Sequence, residues 1–356
     1  MKKHKKVLVA MSGGVDSSVA ALLLKKQGYD VIGVFMHSYN IDGCEEKDME
    51  DARRVAGYLN IPFYVFNFEK EYKQKVVDYL INGYKNGITP NPDVMCNKEI
   101  KFGLFLNKAL SLGADFIATG HYTNLTTYYD KKNNKKIFYL SIARDLNKDQ
   151  TYFLWTLNQN QLQYCLFPIG KYLKSEVRKI AAQYNLPTAY KKDSQGICFL
   201  GKVSIKDFLK NYLPQKKGLV INSSGQKIGE HYGAWYYTIG QRHIGIASKT
   251  PVYVVDKDIT NNLLVVADEN SELLYKNGVV LENVNFVNEN DKNKLPLKIL
   301  TRVRYRQKLI PAILEFKNNN YIVTFDIKQK HVAPGQACVF YQNNNLLGGG
   351  FIKNSF

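Results

Sequence analysis

Long apolar runs are missing from this sequence: no stretch approaches the ~18–20 residues that a bilayer span needs. The basic start Met1-Lys2-Lys3-His4-Lys5-Lys6 leads into a short strand pattern and not into a signal sequence, so a cytoplasmic protein with no membrane partner is expected. Cysteine is scarce. Cys44, Cys96, Cys165, Cys198 and Cys338 are too scattered for a disulfide framework or a Cys-x-x-Cys zinc site. Cys165 and Cys338 sit in apolar surroundings and read as core residues, whereas Cys44 lies in a polar stretch. His121 and His243 lack a third ligand at suitable spacing, so no metal site built by the protein is expected.

Arginine is also rare: 8 residues against 41 lysines, within a net charge of +18. Such a balance points to a polyanionic partner, nucleic acid first. The lysine excess and tracts such as Asn318-Asn319-Asn320 also match the bias of an A/T-rich genome, so placement counts for more than the total. Three of the eight arginines are Arg302, Arg304 and Arg306. Read as a strand, that spacing puts all three on one face, where guanidinium forks suit RNA phosphates.

What is present in abundance is alternation. Strand-like Val7–Ala10, Val31–Met36, Phe63–Asn67 and Asp115–Thr119 alternate with helical patterns at Ser17–Gln27, Glu45–Leu59, Glu69–Tyr84 and Ile100–Leu112. This order predicts an α/β fold, a doubly wound parallel sheet over residues 1–205. A small central domain is expected at 206–268, then a C-terminal β-barrel at 269–356. Ligands of such sheets sit beyond the carboxyl ends of the strands. Ser12-Gly13-Gly14-Val15-Asp16-Ser17-Ser18, Met36-His37 and Gly120-His121-Tyr122 all fall at such ends.

The first of these is the most specific. A strand, two glycines and a helix start place backbone N–H groups and hydroxyls around an anion. No lysine closes the turn, which excludes the Gly-Lys-Ser/Thr nucleotide loop. The pattern Ser-Gly-Gly-x-Asp-Ser resembles the PP-loop of ATP pyrophosphatases. That likeness implies ATP, with Asp16 helping to hold Mg2+.

Two cysteines stand in further motifs. In Thr89-Pro90-Asn91-Pro92-Asp93-Val94-Met95-Cys96-Asn97-Lys98 the prolines stiffen a loop ahead of a helix. A thiol near a helix N-terminus and beside Lys98 is expected to ionise readily, with Asp93 able to exchange protons. The same residues also read as a proline turn with an incidental cysteine. In Ser194-Gln195-Gly196-Ile197-Cys198-Phe199-Leu200-Gly201 flanking glycines suit a thiol on a tight loop, or a buried cysteine beside Phe199.

Taken in order, these motifs closely resemble the tRNA-specific 2-thiouridylase family. Gly33-Val34-Phe35-Met36, Cys96-Asn97-Lys98-Glu99-Ile100-Lys101-Phe102, Thr119-Gly120-His121-Tyr122, Lys148-Asp149-Gln150-Thr151-Tyr152-Phe153-Leu154, Tyr237–His243, Arg304-Tyr305-Arg306 and Ala333-Pro334-Gly335-Gln336 extend the match to the C-terminal region. The resemblance implies ATP contacts at Ala10, Met11, Ser12, Gly13, Gly14, Val15, Asp16, Ser17, Met36 and Gly120. It implies that Asn91, Pro92 and Asp93 meet the target base. Cys96 would be the nucleophile and Cys198 the persulfide carrier, the two passing through a disulfide. Contacts to tRNA would come from His121, Lys148, Asp149, Gln150, Arg304, Tyr305 and Gln336. A cysteine desulfurase or sulfur-relay protein would supply the sulfur. One departure is His37-Ser38-Tyr39-Asn40-Ile41-Asp42, where the family often has an aromatic, acidic continuation.

Overall fold

The computed structural model describes residues 4–41, 43–131, 134–193, 196–201, 203–248 and 250–356. Five parallel strands form the first sheet, in the order Phe63–Asn67, Asp30–His37, Lys6–Ala10, Phe116–Ala118, Cys165–Leu166. Period-two alternation divides the central strand between two cores. Val7 and Val9 pack with Val15 and Val19 of helix Val15–Lys26 and with Val177 and Ala181 of helix Lys174–Gln183. Leu8 and Ala10 face Tyr72, Leu80, Ile100 and Phe105 on the other side. The sheet is therefore covered on both faces, as the alternation of elements predicts.

Two helices on the second face contain π-helical turns, Lys73–Val77 and Cys96–Phe105, and these turns pack against each other. The latter continues a short turn at Pro92–Met95 and runs on as Leu106–Ser111. Asn91 caps the start: its side-chain oxygen accepts the Val94 N–H at 3.3 Å, and Pro92 occupies the first turn.

The central domain is a four-stranded sheet, ordered Val252–Asp258, Leu263–Asp268, Gly218–Asn222, Lys227–His231. The C-terminal strands Tyr275–Phe286, Asn320–Lys330, Ile310–Lys317, Leu297–Arg302, Ala337–Gln342 and Asn345–Ser355 close into an antiparallel barrel, since the first and last also pair. Asparagine runs serve as its hairpin turns: Asn318, Asn319, Asn343 and Asn344 all have positive φ.

The barrel is not built from the C-terminal region alone. A hairpin of Asn124–Asp130 and Lys135–Ser141 extends it, with Ser141 pairing to Asn345. The arginine triplet also departs from expectation. The strand ends at Arg302, the chain turns, and Arg306 takes φ +63°. Arg302 is buried, Arg304 half-buried and Arg306 exposed, so the three do not share a strand face. Among the described residues, no helix is long and apolar enough to cross a membrane.

Candidate active site

In the order of the parallel sheet, the chain reverses its progression between Lys6–Ala10 and Phe116–Ala118, and the loops after these two strands meet there. Gly13 has φ +69°, and a Cβ on it would come within 2.1 Å of the Asp48 carbonyl oxygen. Ser17 Oγ accepts the Ser12 N–H at 3.1 Å and donates to the Gly14 carbonyl at 3.1 Å. Ser18 Oγ also donates to Gly14, at 2.8 Å. Gly14 caps helix Val15–Lys26 with no side-chain hydrogen bond, so no side chain fills the helix N-terminus. Gly120 lies against it, and a Cβ there would sit 2.7 Å from the Ser17 nitrogen. Ala10 and Met11 are buried behind the loop, and half-buried Met36 is the next-to-last residue of the neighbouring strand.

Asp16 is held by groups the sequence did not single out. Lys174 Nζ reaches both of its oxygens at 2.7 Å, and the Tyr122 hydroxyl donates to Oδ1 at 2.8 Å. The same ammonium lies 3.0 Å from Asp193, which also binds Lys148 at 2.7 Å and Arg178 at 2.6 Å. Lys174 is only 12 % exposed, a cation built into the edge of the anion site. No group of three or more His, Cys, Asp or Glu residues suited to a metal occurs among the described residues. Asp16 fits a cation that arrives coordinated by phosphate oxygens better than one held by the protein alone.

The second centre is the helix start at Asn91–Cys96. Cys96 is a buried free thiol, so the disulfide with Cys198 implied by the resemblance is not formed here. Burial pushes its pKa up, against the expectation of a readily ionised thiol. Lys101 and a hydrogen bond from Tyr72 pull it down, while Asp93 adds to the rise. Lys98 points elsewhere, 3.6 Å from Glu99. The π-helical turn explains the exchange, because its five-residue hydrogen-bonded repeat brings residue 101 into register with residue 96. Burial also raises Asp93, again opposed by Lys101. Buried His121 is held well below the ordinary imidazole range by burial and by Lys101. Asp93, Cys96 and His121 thus all feel the charge of Lys101. His121 shares a 2.8 Å hydrogen bond with Thr119, and its ring lies 5.8 Å from that of Phe102.

The other two domains clamp this loop. The Thr89 N–H donates to the Pro334 carbonyl at 2.9 Å, and Gln336 Nε2 donates to the Thr89 carbonyl at 3.0 Å. Thr89 Oγ1 lies 3.2 Å from Thr238 Oγ1, which gives the Tyr237–His243 motif a docking role that its sequence alone does not assign. Arg304 donates to the Ile239 carbonyl at 3.2 Å, and the Tyr305 ring packs 4.5 Å from Phe153. Gln150 Oε1 accepts the Tyr122 N–H at 2.9 Å. Asp149 is buried and bonded to Thr151 and Arg302. Ser194, Gln195 and the Cys198 side chain lie outside the described residues. The Cys198–Leu200 backbone forms a 3-10 turn, with Phe199 buried.

Sequence reasoning misses Lys174, Asp193, Tyr72 and Lys101 as site residues. Tyr122 and Lys101 stand inside motifs already noted, whereas nothing in the sequence around Lys174 marks it.

The family model for the tRNA methyl transferase HUP domain matches residues 5–202. The tRNA methyl transferase PRC-barrel domain matches 206–268, and the aminomethyltransferase beta-barrel domain 276–352. A tRNA-specific 2-thiouridylase MnmA 1 of Geobacillus kaustophilus (strain HTA426) is 48% identical, over 98% of this chain and 96% of its own. One from Alkaliphilus oremlandii (strain OhILAs) is 48% identical over 98% and 97%. One from Buchnera aphidicola subsp. Acyrthosiphon pisum (strain APS) is 46% identical over 99% and 98%. Such identity, sustained through all three domains, makes the chain a member of the tRNA-specific 2-thiouridylase family.

Proposed function

We propose that this protein replaces the C2 oxygen of the wobble uridine in tRNA with sulfur, at the expense of ATP. The observation that carries the reading is the 48% identity to a tRNA-specific 2-thiouridylase across 98% of the chain. The matched domain names refer to methyl transfer. A phosphate-type cradle beside a buried thiol favours sulfur transfer through an activated carbonyl.

Oxygen at C2 is a poor leaving group and must first be activated. Attack of O2 on the α-phosphate of ATP gives an adenylate and pyrophosphate. N–H groups of the Ser12–Ser17 loop and Lys174 stabilise the charge that develops there. Mg2+ arriving with the phosphates would supply Lewis-acid charge stabilisation, and Asp16 would be the carboxylate to hold it. The Cys96 thiolate then attacks the inner sulfur of a Cys198 persulfide. A Cys96–Cys198 disulfide forms and HS⁻ leaves. HS⁻ adds to C2, the C2–O bond breaks, and AMP departs with the former carbonyl oxygen. A cellular dithiol returns the disulfide to two thiols. Asp93, with its raised pKa, carries the proton between base and solvent.

The target base leaves its stack to reach this pocket. Lys148, Gln150, Arg304 and Tyr305 border the approach, and a cysteine desulfurase or a relay protein loads Cys198. The protein works on tRNA in the cytoplasm.

The test uses unmodified tRNA, ATP, Mg2+ and a cysteine desulfurase with cysteine, read on a mercury-containing gel that retards thiolated RNA. An ATP-dependent shift lost in Cys96→Ser and in Cys198→Ser is the expected result. Intact tRNA binding with no shift in the wild type would redirect the assignment to another adenylated substrate.

A further inference from the structure

We propose that Asp149 is a positioning residue for tRNA and does not touch it. With Arg302 it pins the Lys148–Gln150 segment of the first domain to the Arg304–Tyr305 turn of the barrel, so that both meet the RNA in one fixed arrangement. The inference rests on the thiolation reading above and departs from the tRNA contact that the family resemblance implies for Asp149.

A carboxylate offers about four acceptor positions, and in buried Asp149 protein donors meet all of them. Oδ1 accepts the Ala143 N–H at 3.1 Å and the Thr151 N–H at 3.5 Å. Oδ2 accepts the Thr151 hydroxyl at 2.8 Å and an Arg302 N–H at 2.9 Å. The Thr151 oxygen also lies 3.0 Å from the Tyr341 hydroxyl, and the Arg302 guanidinium lies over the Tyr341 ring. Asp149 and Thr151 on one domain and Arg302 and Tyr341 on the other thus close a ring of contacts. The residues that follow continue the seam. The Tyr152 hydroxyl donates to the Ala337 carbonyl at 3.0 Å, and Phe153 packs against Tyr305.

Lys148 and Gln150 flank Asp149, are half-buried and bond within the first domain, to Asp193 and Tyr122. On the barrel, buried Arg302 ends its strand, and half-buried Arg304 and Tyr305 follow in the turn. The ion pair therefore joins the two segments that border the tRNA approach. A carboxylate facing RNA would repel its phosphates, whereas one enclosed and neutralised by arginine does not. Phosphate contacts fix the register of a protein on nucleic acid only when the cations that make them keep a set spacing. Lys148 and Arg304 belong to different domains, so their spacing depends on the seam that Asp149 and Arg302 cross. A pair that served cohesion alone would change stability and leave the tRNA affinity of the folded chain as it was.

The test measures binding of unmodified tRNA to the full-length chain across a range of salt, without ATP. Arg302→Met breaks the pin at a residue that is itself buried away from RNA. Compared at a temperature where its circular dichroism matches the wild type, it should bind tRNA about tenfold more weakly. Lys148→Met in the wild type should flatten the plot of log Kd against log salt by about 1, as for one lost phosphate contact. Added to Arg302→Met it should flatten the plot little further, because that contact is already misplaced. Asp149→Leu with Arg302→Met strands no charge, keeps the seam apolar and should bind within about threefold of the wild type. The proposal falls if folded Arg302→Met binds like the wild type. It falls equally if the double variant is about tenfold weaker, as loss of a direct Asp149 contact requires. Should Arg302→Met not fold, the double variant decides alone. A wild type that does not bind tRNA would overturn the thiolation reading and this role together. A chain whose tRNA binding behaves as described but which thiolates nothing would overturn the reading alone.

Discussion

Arg302 and Asp149 meet at 2.9 Å with both side chains almost wholly out of water, 6 % and 1 % exposed. The pair fastens the first strand-and-helix domain to the C-terminal barrel. Arg302 also lies over the Tyr341 ring, 4.9 Å from its centroid, and Thr151 completes the Asp149 shell.

Removing one partner leaves a buried charge without its counter-ion, which costs about 3–5 kcal/mol. Arg302→Met is therefore expected to lower the urea midpoint sharply. Arg302→Met with Asp149→Leu should recover much of the loss, because no charge is then stranded. A double variant no more stable than the single one would show that the pair contributes more than mutual neutralisation.

Gly120 is expected to tolerate no side chain. A Cβ there would stand 2.7 Å from the Ser17 nitrogen and 2.9 Å from the Asp16 carbonyl carbon, both backbone atoms of the anion loop. Gly120→Ala should cut tRNA-dependent pyrophosphate release at least tenfold, since such a displacement disturbs donors aimed at a developing charge. Gly57 offers the contrast. It lies in helix Cys44–Tyr58 with open space around it, so Gly57→Ala should raise stability by up to about 1 kcal/mol and leave pyrophosphate release alone.

Asp193 should leave a mark on the acid limb of stability. Burial alone would raise its pKa, but hydrogen bonds from Lys148 and Lys174 outweigh that and hold it at about 2. The folded value lies below that of an unfolded aspartate, about 3.9. Its contribution is thus complete above that unfolded value and is lost as pH falls through about 2. Between pH 5 and pH 3 the wild type should lose more melting temperature than Asp193→Asn. Equal losses would mean that the cluster around Asp193 is not coupled to folding.

Local chemistry is legible in the order of the residues alone. The run Val7–Ala10, the glycines after it and the helix that follows occur almost where their sequence places them. The stretch Thr89–Lys98, read as a stiff loop ahead of a helix, instead already starts that helix at Pro92, with Asn91 as its cap. What escapes such reasoning depends on contacts made at long range or on departures from regular geometry. Period-two spacing puts Arg302, Arg304 and Arg306 on one face, but a turn intervenes after Arg302. Proximity at a helix end pairs Cys96 with Lys98, but a π-helical turn delivers Lys101 instead. Lys174 reaches Asp16 across 158 residues of sequence, a distance that no local pattern reports.

The hairpin Asn124–Ser141 carries a consequence for how the chain is made. Ser141 leaves the ribosome roughly 200 residues ahead of Asn345, its partner in the barrel. At ~5–20 residues per second that interval is roughly 10–40 s. Throughout it, the Ser141 end of the hairpin's outer edge waits without its neighbour, exposing the kind of unpaired backbone that invites mispairing. Lys135 and Lys136 at the other end of that strand are both exposed, and such edge lysines discourage pairing with other strands.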